Sequence, residues 1–246
     1  MSKFKTVSIC APAFNEEQGI IPVIESWVSS LDQAVEDNLI SDYEIVICDD
    51  GSSDGTVRSL TSLNNPKLVV IQNLSNQGPG IAIRRAIAAS QNDWVITIDS
   101  DGQFNLDEAL QWLSIAQIER AVLGYRLKAD KTLLKIGSKV STWLLSSTVN
   151  TQIHDANCMM KLIPGAVARS LDLRAVGLNY SGEMTYLLIN SNLKIDWAKV
   201  SHKKRVSGKS SAKLFRDGKK RLLFQFYLIL EYKLMKSNVL SRRASQ

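Results

Sequence analysis

Short apolar runs alternate with amphipathic stretches along the first hundred residues of the chain. The apolar runs predict strands, and the amphipathic stretches between them predict helices. The predicted strands are residues 7–13, 43–50, 67–73 and 94–101, and the predicted helices are about 18–35, 56–63 and 81–90. Strands that are apolar throughout and separated by helices indicate a mainly parallel sheet with helices on both faces. We therefore predict an α/β fold.

The second half of the chain has a less regular pattern. Its predicted elements are a strand at 121–126, a helical stretch at 132–149, an edge strand at 194–200 and a C-terminal helix at 214–240. We find no linker, internal repeat or low-complexity segment in the sequence. The simplest division is one domain over residues 1–213, followed by a basic amphipathic helical extension over residues 214–246.

The composition is that of a globular protein, because 45% of the 246 residues are hydrophobic and 22% are charged. Cys10, Cys48 and Cys158 are too few and too scattered for a disulfide framework or a zinc site, which favours a reducing compartment. The first residues lack a signal-peptide core, and no apolar run reaches the roughly 18 residues that a membrane span requires. We therefore expect a cytoplasmic protein.

The net charge of +6 is unevenly distributed. From Lys199 to Gln246 there are 14 basic and 2 acidic residues, whereas the rest of the chain is acidic on balance. A basic segment of this kind predicts an anionic partner such as nucleic acid, acidic lipid or phosphate, although it is also typical of a solvated face. The segment lacks a nucleic-acid reading motif and the acidic remainder would repel a duplex, so we do not expect nucleic-acid binding.

Polar side chains follow three of the predicted strands, and ligands of parallel sheets bind beyond the carboxyl ends of the strands. These side chains are Asn15 and Glu16, Asp49 and Asp50, and Asp99 and Asp101. The carboxylates of Asp99 and Asp101, with the nearby amide oxygen of Gln103, suit a divalent cation that is bound jointly with substrate phosphates. Such a cation, Mg²⁺ or Mn²⁺, would neutralise charge on a diphosphate leaving group. An ordinary surface loop is the alternative.

Two further segments have candidate binding residues. Asp50 at a strand end could accept hydrogen bonds from a base or ribose, although Asp-Gly-Ser is also typical of turns and helix caps. Gly78 precedes a helix that carries Arg84, and the N-terminus of this helix could face a phosphate. A simple glycine turn is the alternative for that segment. Its spacing is neither that of a Walker loop nor that of a dinucleotide site.

Four motifs occur in the order and spacing of a known family. They are Pro12-Ala13-Phe14-Asn15-Glu16, Asp49-Asp50-Gly51-Ser52-Ser53-Asp54-Gly55-Thr56, Asn76-Gln77-Gly78 and Asp99-Ser100-Asp101-Gly102-Gln103. Over roughly residues 5–125 the chain therefore resembles glycosyltransferase family 2. The resemblance implies a GT-A fold, a nucleotide-diphosphate sugar as donor and a divalent metal ion.

The second half resembles the dolichol-phosphate mannosyltransferase branch of that family. The matching positions are Gly124-Tyr125-Arg126, Lys135-Ile136-Gly137-Ser138, Asp155 to Lys161, Glu183, and Arg205-Val206-Ser207-Gly208-Lys209-Ser210. The sequence departs from the branch at Lys135, which replaces an arginine. It also departs between Asp155 and Lys161, where only the first acidic and last basic residues are kept.

The resemblance implies a role for each matching residue. Pro12, Phe14, Glu16 and Asp50 would line the nucleotide pocket, Asp99 would contact both nucleotide and metal, and Asp101 and Gln103 would hold the metal. Arg126 and Arg205 would face the phosphates, and Lys135 and Ser138 would receive an acceptor phosphate. Lys209 could supply further positive charge there. With Asp101, the two arginines are the residues that we expect to be catalytic.

A phosphate acceptor is chemically reasonable for such an enzyme. A phosphate monoester is roughly −1.5 to −2 charged at pH 7, so it is nucleophilic without a general base. It requires cations that offset its repulsion from the donor diphosphate. We therefore predict an inverting enzyme that transfers a hexose-type sugar from a GDP- or UDP-sugar to a polyprenyl phosphate. The alternatives are a soluble family 2 enzyme that acts on a hydroxyl, and a non-catalytic sugar-nucleotide binding module.

The predicted C-terminal helix offers a route to a membrane-bound acceptor. Leu222, Phe226, Leu230 and Leu234 recur at helical spacing, and lysines and arginines flank them. A basic amphipathic helix can lie in the interface of an anionic membrane, so we expect peripheral attachment to a cytoplasmic membrane face. Packing of this helix on the catalytic domain or on a second copy is the alternative.

Overall fold

The computed structural model describes residues 5–126, 142–143, 145–146, 149, 152–203 and 227. The strands are β1 (Thr6–Ala13), β2 (Asp42–Asp49), β3 (Leu68–Gln72), β4 (Trp94–Thr97), β5 (Arg120–Arg126), β6 (Lys161–Pro164) and β7 (Lys194–Val200). The helices are α1 (Ile20–Glu36), α2 (Thr56–Ser62), α3 (Pro79–Ala89), α4 (Leu106–Gln111), α5 (Gly165–Ser170) and α6 (Tyr180–Ile189). A 3₁₀ turn, Trp112–Ile115, follows α4.

All seven strands form one sheet in the order β3-β2-β1-β4-β6-β5-β7. β1 runs parallel to β2 and β4, β2 runs parallel to β3, and β5 runs parallel to β7. β6 is antiparallel to both of its neighbours, β4 and β5. Since β4 and β5 are both antiparallel to β6, they run in the same direction as each other. The six strands other than β6 therefore share one direction. The prediction of a mainly parallel α/β sheet flanked by helices is therefore confirmed.

The first strands form because their residues are apolar on both faces of the sheet. Ile45, Val46 and Ile47 of β2 are each fully buried, as expected where helices cover both sides. Helix α1 packs on the sheet through one stripe of buried side chains. The stripe is Ile20, Ile24, Trp27, Leu31 and Ala34. The spacing of three or four residues is that of one helix face.

Several elements differ from the sequence-based prediction. β4 ends at Thr97 rather than at residue 101, so the acidic segment 99–101 is a turn beyond the strand. Strand β6 was not predicted, because it has only four residues and ends in Pro164. Helix α6 was missed as well. Eight of its ten residues are buried, so it lacks the alternation of apolar and polar faces that predicts a helix.

The predicted C-terminal helix lies almost wholly outside the described residues. Tyr227, the one described residue of that segment, is helical and 49% exposed. The predicted domain boundary at residues 213 and 214 also falls outside the described ranges and remains a prediction. Within those ranges, no helix is both long and apolar enough to cross a membrane.

Candidate functional site

The polar strand ends meet at one edge of the sheet. β2, β1 and β4 are neighbours and run in the same direction, so Asp50, Glu16 and Asp99 follow adjacent strands. At a strand spacing of about 4.8 Å, the ends of β2 and β4 lie roughly 10 Å apart. The structure therefore brings these three predicted residues together. Because β6 is antiparallel, its first residue, Lys161, also lies at this edge.

The carboxylates of Asp99 and Asp101 form the acidic centre of this edge. Burial, together with the negative charge of Asp101, raises the pKa of Asp99 to about 6. The positive charge of Arg126 acts in the opposite direction, as does the hydroxyl of Tyr180, which donates to Asp99 Oδ1 at 3.2 Å. Two carboxylates that lie two residues apart and repel each other are a setting that a cation would stabilise.

Gln103 completes the predicted metal-binding set. Its backbone nitrogen donates to Asp101 Oδ1 at 3.1 Å, and its side-chain nitrogen donates to the carbonyl oxygen of Lys203 at 2.9 Å. The amide oxygen is thus the end of this side chain that remains for a cation. Across the described ranges, no cluster of three or more His, Cys, Asp or Glu side chains could hold a metal ion. Two carboxylates and an amide oxygen are ligands that Mg²⁺ or Mn²⁺ accepts together with oxygens of substrate phosphates.

Asp50 is buried at the end of β2 and organises the neighbouring loop. Its carboxylate accepts hydrogen bonds from Asn73 Nδ2 at 2.8 Å, Gln77 N at 2.9 Å and Gly78 N at 2.8 Å. Asp49 has a comparable local role, since it accepts from the backbone nitrogens of Gly51 and Ser52. Asp50 thus fixes the loop that bounds the predicted nucleotide pocket, a structural role that the sequence reading did not include.

The N-terminus of α3 does not face an open phosphate site, contrary to the prediction for Gly78. Its backbone nitrogen at Gly80 donates to the carbonyl oxygen of Val176 at 2.9 Å. A Cβ atom at Gly80 would lie 1.9 Å from Ala175 O, and one at Gly78 would lie 2.4 Å from Val176 O. Carbonyl oxygens therefore cover this helix end, and the glycines allow their close approach.

The predicted role of Arg84 changes for the same reason. Its side chain donates to the carbonyl oxygen of Leu173 at 2.9 Å, so it anchors the covering segment 173–176 to α3. Glu183 holds this segment from the other side. Its carboxylate accepts from the backbone nitrogens of Arg174 and Ala175 at 3.0 and 2.8 Å. The segment is thus fixed between α3 and α6.

The residues after β1 border the acidic centre. Pro12 O accepts a hydrogen bond from Ser100 Oγ at 2.7 Å, which ties β1 to the turn that carries Asp99 and Asp101. Phe14 is half-buried directly beyond the strand. Glu16 is 8% exposed and, with Asp101, borders a cavity of about 200 Å³. The structure therefore places Pro12 and Glu16 next to the acidic turn.

Arg126 is the last residue of β5 and forms an ion pair with Asp155. Its Nε lies 2.8 Å from Asp155 Oδ2, and its Nη2 lies 3.2 Å from Oδ1. Because β5 runs in the same direction as β4, Arg126 lies at the same edge of the sheet as Asp99, and its positive charge acts to lower the pKa of Asp99. The other predicted cationic and acceptor residues lie outside the described ranges. They are Lys135, Ser138, Arg205 and Lys209.

Sequence reasoning did not anticipate the buried support of this centre. Lys161 is 1% exposed, and its Nζ donates to Ser181 Oγ at 3.0 Å and to the carbonyl oxygen of Cys158. Burial lowers the pKa of Lys161 to about 8. Tyr180 had no signal at all, since nothing in its neighbourhood distinguishes it from a core tyrosine. For Lys161, the available signal was its match to the last, basic residue of the motif that begins at Asp155.

The fold and the acidic turn agree with the match to a family model. Residues 8–146 match glycosyl transferase family 2. The chain therefore belongs to this family and contains a glycosyltransferase domain.

The curated relatives are distant. The dolichyl-phosphate beta-glucosyltransferase of Trichomonas vaginalis is 26% identical over 175 residues, which cover 65% of this chain and 52% of the relative. The undecaprenyl-phosphate 4-deoxy-4-formamido-L-arabinose transferase of Proteus mirabilis is 28% identical over 165 residues, which cover 65% of this chain and 49% of the relative. The chain thus spans about half the length of these curated relatives.

Solved structures share the fold. Mannosyl-3-phosphoglycerate synthase from Rubrobacter xylanophilus superposes with a TM-score of 0.67 at 15% identity, over 95% of this chain and 75% of that one. Glucosyl-3-phosphoglycerate synthase from Mycobacterium tuberculosis, in complex with Mn²⁺ and uridine-diphosphate-glucose, superposes with a TM-score of 0.64 at 19% identity, over 90% and 79% of the two chains. These likenesses confirm the GT-A-like fold.

Proposed function

We propose that this chain is an inverting, metal-dependent glycosyltransferase that moves a hexose-type sugar from a nucleotide-diphosphate sugar to a polyprenyl phosphate. The observation that carries the proposal is that Asp99 and Asp101 follow β4 and Arg126 ends β5 at the same, carboxyl edge of the sheet. The two carboxylates can hold a cation, and a fixed guanidinium lies beside them. These two positive charges suit a diphosphate leaving group.

The donor would bind along the ends of β2, β1 and β4. Pro12, Phe14 and Glu16 border one side of this edge, and the loop that Asp50 holds borders the other. Asp99, Asp101 and Gln103 would hold the metal ion, and bound Mg²⁺ or Mn²⁺ would neutralise charge on the leaving diphosphate. Arg126 would donate hydrogen bonds to the same phosphates, with the greatest effect as negative charge develops in the transition state.

A polyprenyl phosphate as acceptor is supported by two independent observations. The distant relatives from Trichomonas vaginalis and Proteus mirabilis carry dolichyl phosphate and undecaprenyl phosphate in their names. The sequence also contains basic residues at the positions that the resemblance assigns to phosphates, namely Lys135, Arg205 and Lys209. Fixed cations between an acceptor phosphate and a donor diphosphate would lower their mutual repulsion.

A donor and acceptor screen tests the proposal. Purified protein is incubated with GDP- and UDP-sugars, Mn²⁺ or Mg²⁺ and a short polyprenyl phosphate, and both nucleoside diphosphate and glycolipid are measured. We expect metal-dependent release of nucleoside diphosphate together with stoichiometric sugar-phosphate lipid. Transfer to a neutral saccharide, without use of prenyl phosphate, would favour the hydroxyl-acceptor alternative. Nucleotide binding without turnover of any donor would favour a non-catalytic module.

The basic amphipathic segment 214–246 is the proposed membrane contact. Each Lys or Arg near an anionic membrane contributes about 1 kcal/mol of attraction. We expect a variant that ends at Lys213 to lose binding to phosphatidylserine-containing vesicles while retaining nucleotide affinity. Equal sedimentation of both forms with such vesicles would exclude this contact.

A further inference from the structure

We propose that Asp155 is a positioning residue that orients the guanidinium of Arg126 toward the donor phosphates, an inference that rests on the proposed function. Asp155 is 1% exposed, so it is not a surface partner. Asp155 matches the first residue of the motif at residues 155–161. Neither its position in that motif nor its residue type indicates that it pairs with Arg126.

The geometry of the pair is bidentate. Asp155 Oδ2 accepts from Arg126 Nε at 2.8 Å, and Oδ1 accepts from Nη2 at 3.2 Å. This fork uses one edge of the planar guanidinium and leaves the Nη1 end for another acceptor. Within the described part of the chain, the side-chain hydrogen bonds of Arg126 all go to Asp155. The carboxylate thus determines which way the remaining donors point.

The segment that carries Asp155 is itself held in place. The ring of His154 lies 5.0 Å from that of Tyr125 and 5.3 Å from that of Trp197. Thr185 Oγ1 donates to the carbonyl oxygen of Ala156 at 2.9 Å. His154 therefore contacts the residue before Arg126 on β5, while Asp155 contacts Arg126 itself. Such support limits the movement of the carboxylate and hence of the guanidinium.

The charges of the cluster explain why orientation matters. The carboxylates of Asp155 and Asp99 both favour the positive charge of Arg126, and Asp155 is the one that it contacts. Burial opposes the positive charge of Arg126, but the hydrogen bonds and the negative charge of Asp155, together with the charges of more distant groups such as Asp99, outweigh it and raise the pKa of the guanidinium. Without Asp155, the same arginine could turn to Asp99 and compete with the metal ion for that carboxylate.

A purely structural ion pair is the alternative, and a double-mutant cycle separates the two. Dissociation constants of UDP and GDP are measured with Mn²⁺ for Asp155→Asn, Arg126→Gln and the double variant, together with their melting temperatures. If Asp155 acts through Arg126, we expect about tenfold weaker binding for Asp155→Asn and a double variant no weaker than Arg126→Gln alone. If the affinity losses of the two single variants multiply in the double variant, the proposal is overturned. Unchanged affinity in Asp155→Asn would overturn it as well.

A matched control exists on the same strand. Arg120 Nη1 lies 2.7 Å from Asp196 Oδ2, about 20 Å from Arg126 at the other end of β5. Asp196→Asn should leave nucleotide affinity unchanged. Asp155→Glu keeps the charge but displaces the carboxylate, and it can be measured even if Asp155→Asn folds poorly. We expect its nucleotide affinity to be intermediate. Wild-type affinity in Asp155→Glu would contradict the proposal.

The same measurements distinguish this inference from the proposed function. The protein could bind nucleoside diphosphate and show the coupling between Asp155 and Arg126, yet fail to transfer sugar to prenyl phosphate. That result would contradict the proposed acceptor and leave Asp155 as a positioning residue. A wild-type protein that binds neither UDP nor GDP would overturn both.

Discussion

Tyr180 Oη donates a hydrogen bond to Asp99 Oδ1 at 3.2 Å, across 81 residues of sequence. The tyrosine is 4% exposed and is the first residue of α6, so this contact joins a buried helix to the acidic turn. The same helix carries Glu183, which holds the segment covering α3. Helix α6 therefore supports both the acidic turn and the segment 173–176 that covers the N-terminus of α3.

Tyr180→Phe should weaken metal binding while leaving the fold intact. The variant loses a hydrogen bond that orients Asp99, and a hydrogen bond to a charged group contributes about 1.5–3 kcal/mol. We expect about a tenfold rise in the Mn²⁺ concentration that gives half-maximal nucleotide binding. Tyr43→Phe is the matched control, since Tyr43 donates to Asp32 at 2.6 Å far from the site. Equal metal dependence in both variants would argue against a role for Tyr180.

Asp101→Asn should nearly abolish sugar transfer without unfolding the protein. The amide retains the shape of the side chain but loses the charge that holds a divalent cation. Turnover at saturating Mn²⁺ and the circular dichroism spectrum are the measurements. Asp107→Asn, an exposed carboxylate on α4, should keep wild-type turnover. Near-normal turnover in Asp101→Asn would remove this residue from the metal site.

Asp50→Ala should affect both stability and donor binding. Three hydrogen bonds to the 73–78 loop are lost, which we expect to lower the free energy of unfolding by on the order of 3 kcal/mol. The donor KM should rise more than kcat falls, because the loop borders the nucleotide rather than the reacting atoms. Urea denaturation and steady-state kinetics test the two effects, with exposed Asp37→Ala as control. A pure kcat defect would place Asp50 closer to the chemistry.

Gly80→Ala should destabilise the protein, whereas Gly177→Ala should not. A Cβ at Gly80 would meet Ala175 O at 1.9 Å, but one at Gly177 would find its nearest neighbour, Asn179 Oδ1, at 3.4 Å. Backbone must move to admit the first methyl group, which commonly costs about 1–3 kcal/mol. The melting temperatures of the two variants provide the comparison. Similar values would mean that the segment covering α3 moves aside at little cost.

Lys161→Met should alter how stability depends on pH. Burial lowers the pKa of Lys161 to about 8 from 10.5, so the unfolded chain retains this proton to higher pH than the folded one. The unfolding free energy of wild type should therefore rise relative to the variant between pH 8 and 10.5, by about 3 kcal/mol in total. Below pH 8 the unfolding free energies of wild type and variant should depend on pH in the same way. If urea denaturation shows the same pH dependence for both proteins over the whole range, a desolvated Lys161 is contradicted.

The first four strands and the acidic turn could be predicted from sequence because their signals are local. Apolar runs mark β1 to β4, and the shared direction of parallel strands is sufficient to bring Asp50, Glu16 and Asp99 to one edge. The end of β4 was misplaced by four residues, since Ile98 continues the apolar run while the chain already turns. Polar residues immediately beyond a strand were thus more informative than the strand boundary itself.

The supporting contacts could not be predicted because they join distant parts of the chain. Arg126 and Asp155 are 29 residues apart, and Tyr180 and Asp99 are 81 apart, with no periodicity that links them. The phosphate interpretation of Gly78 was wrong for a similar reason. The carbonyl oxygens that cover α3 belong to residues 175 and 176, and a glycine beside a helix looks the same whether a ligand or a backbone approaches it.

The position of β5 in the sheet has a consequence for how the chain is made. β5 is separated from β4 by β6, and its hydrogen-bonded neighbours are β6 and β7. On a ribosome, β1 to β4 can pair as soon as they emerge, but Arg126 leaves the exit tunnel about 35 residues ahead of Lys161, the first residue of β6. The guanidinium of Arg126 therefore joins the site late, and a nascent chain that has released β5 but not yet β6 from the tunnel should expose an unpaired, apolar β5 to chaperones.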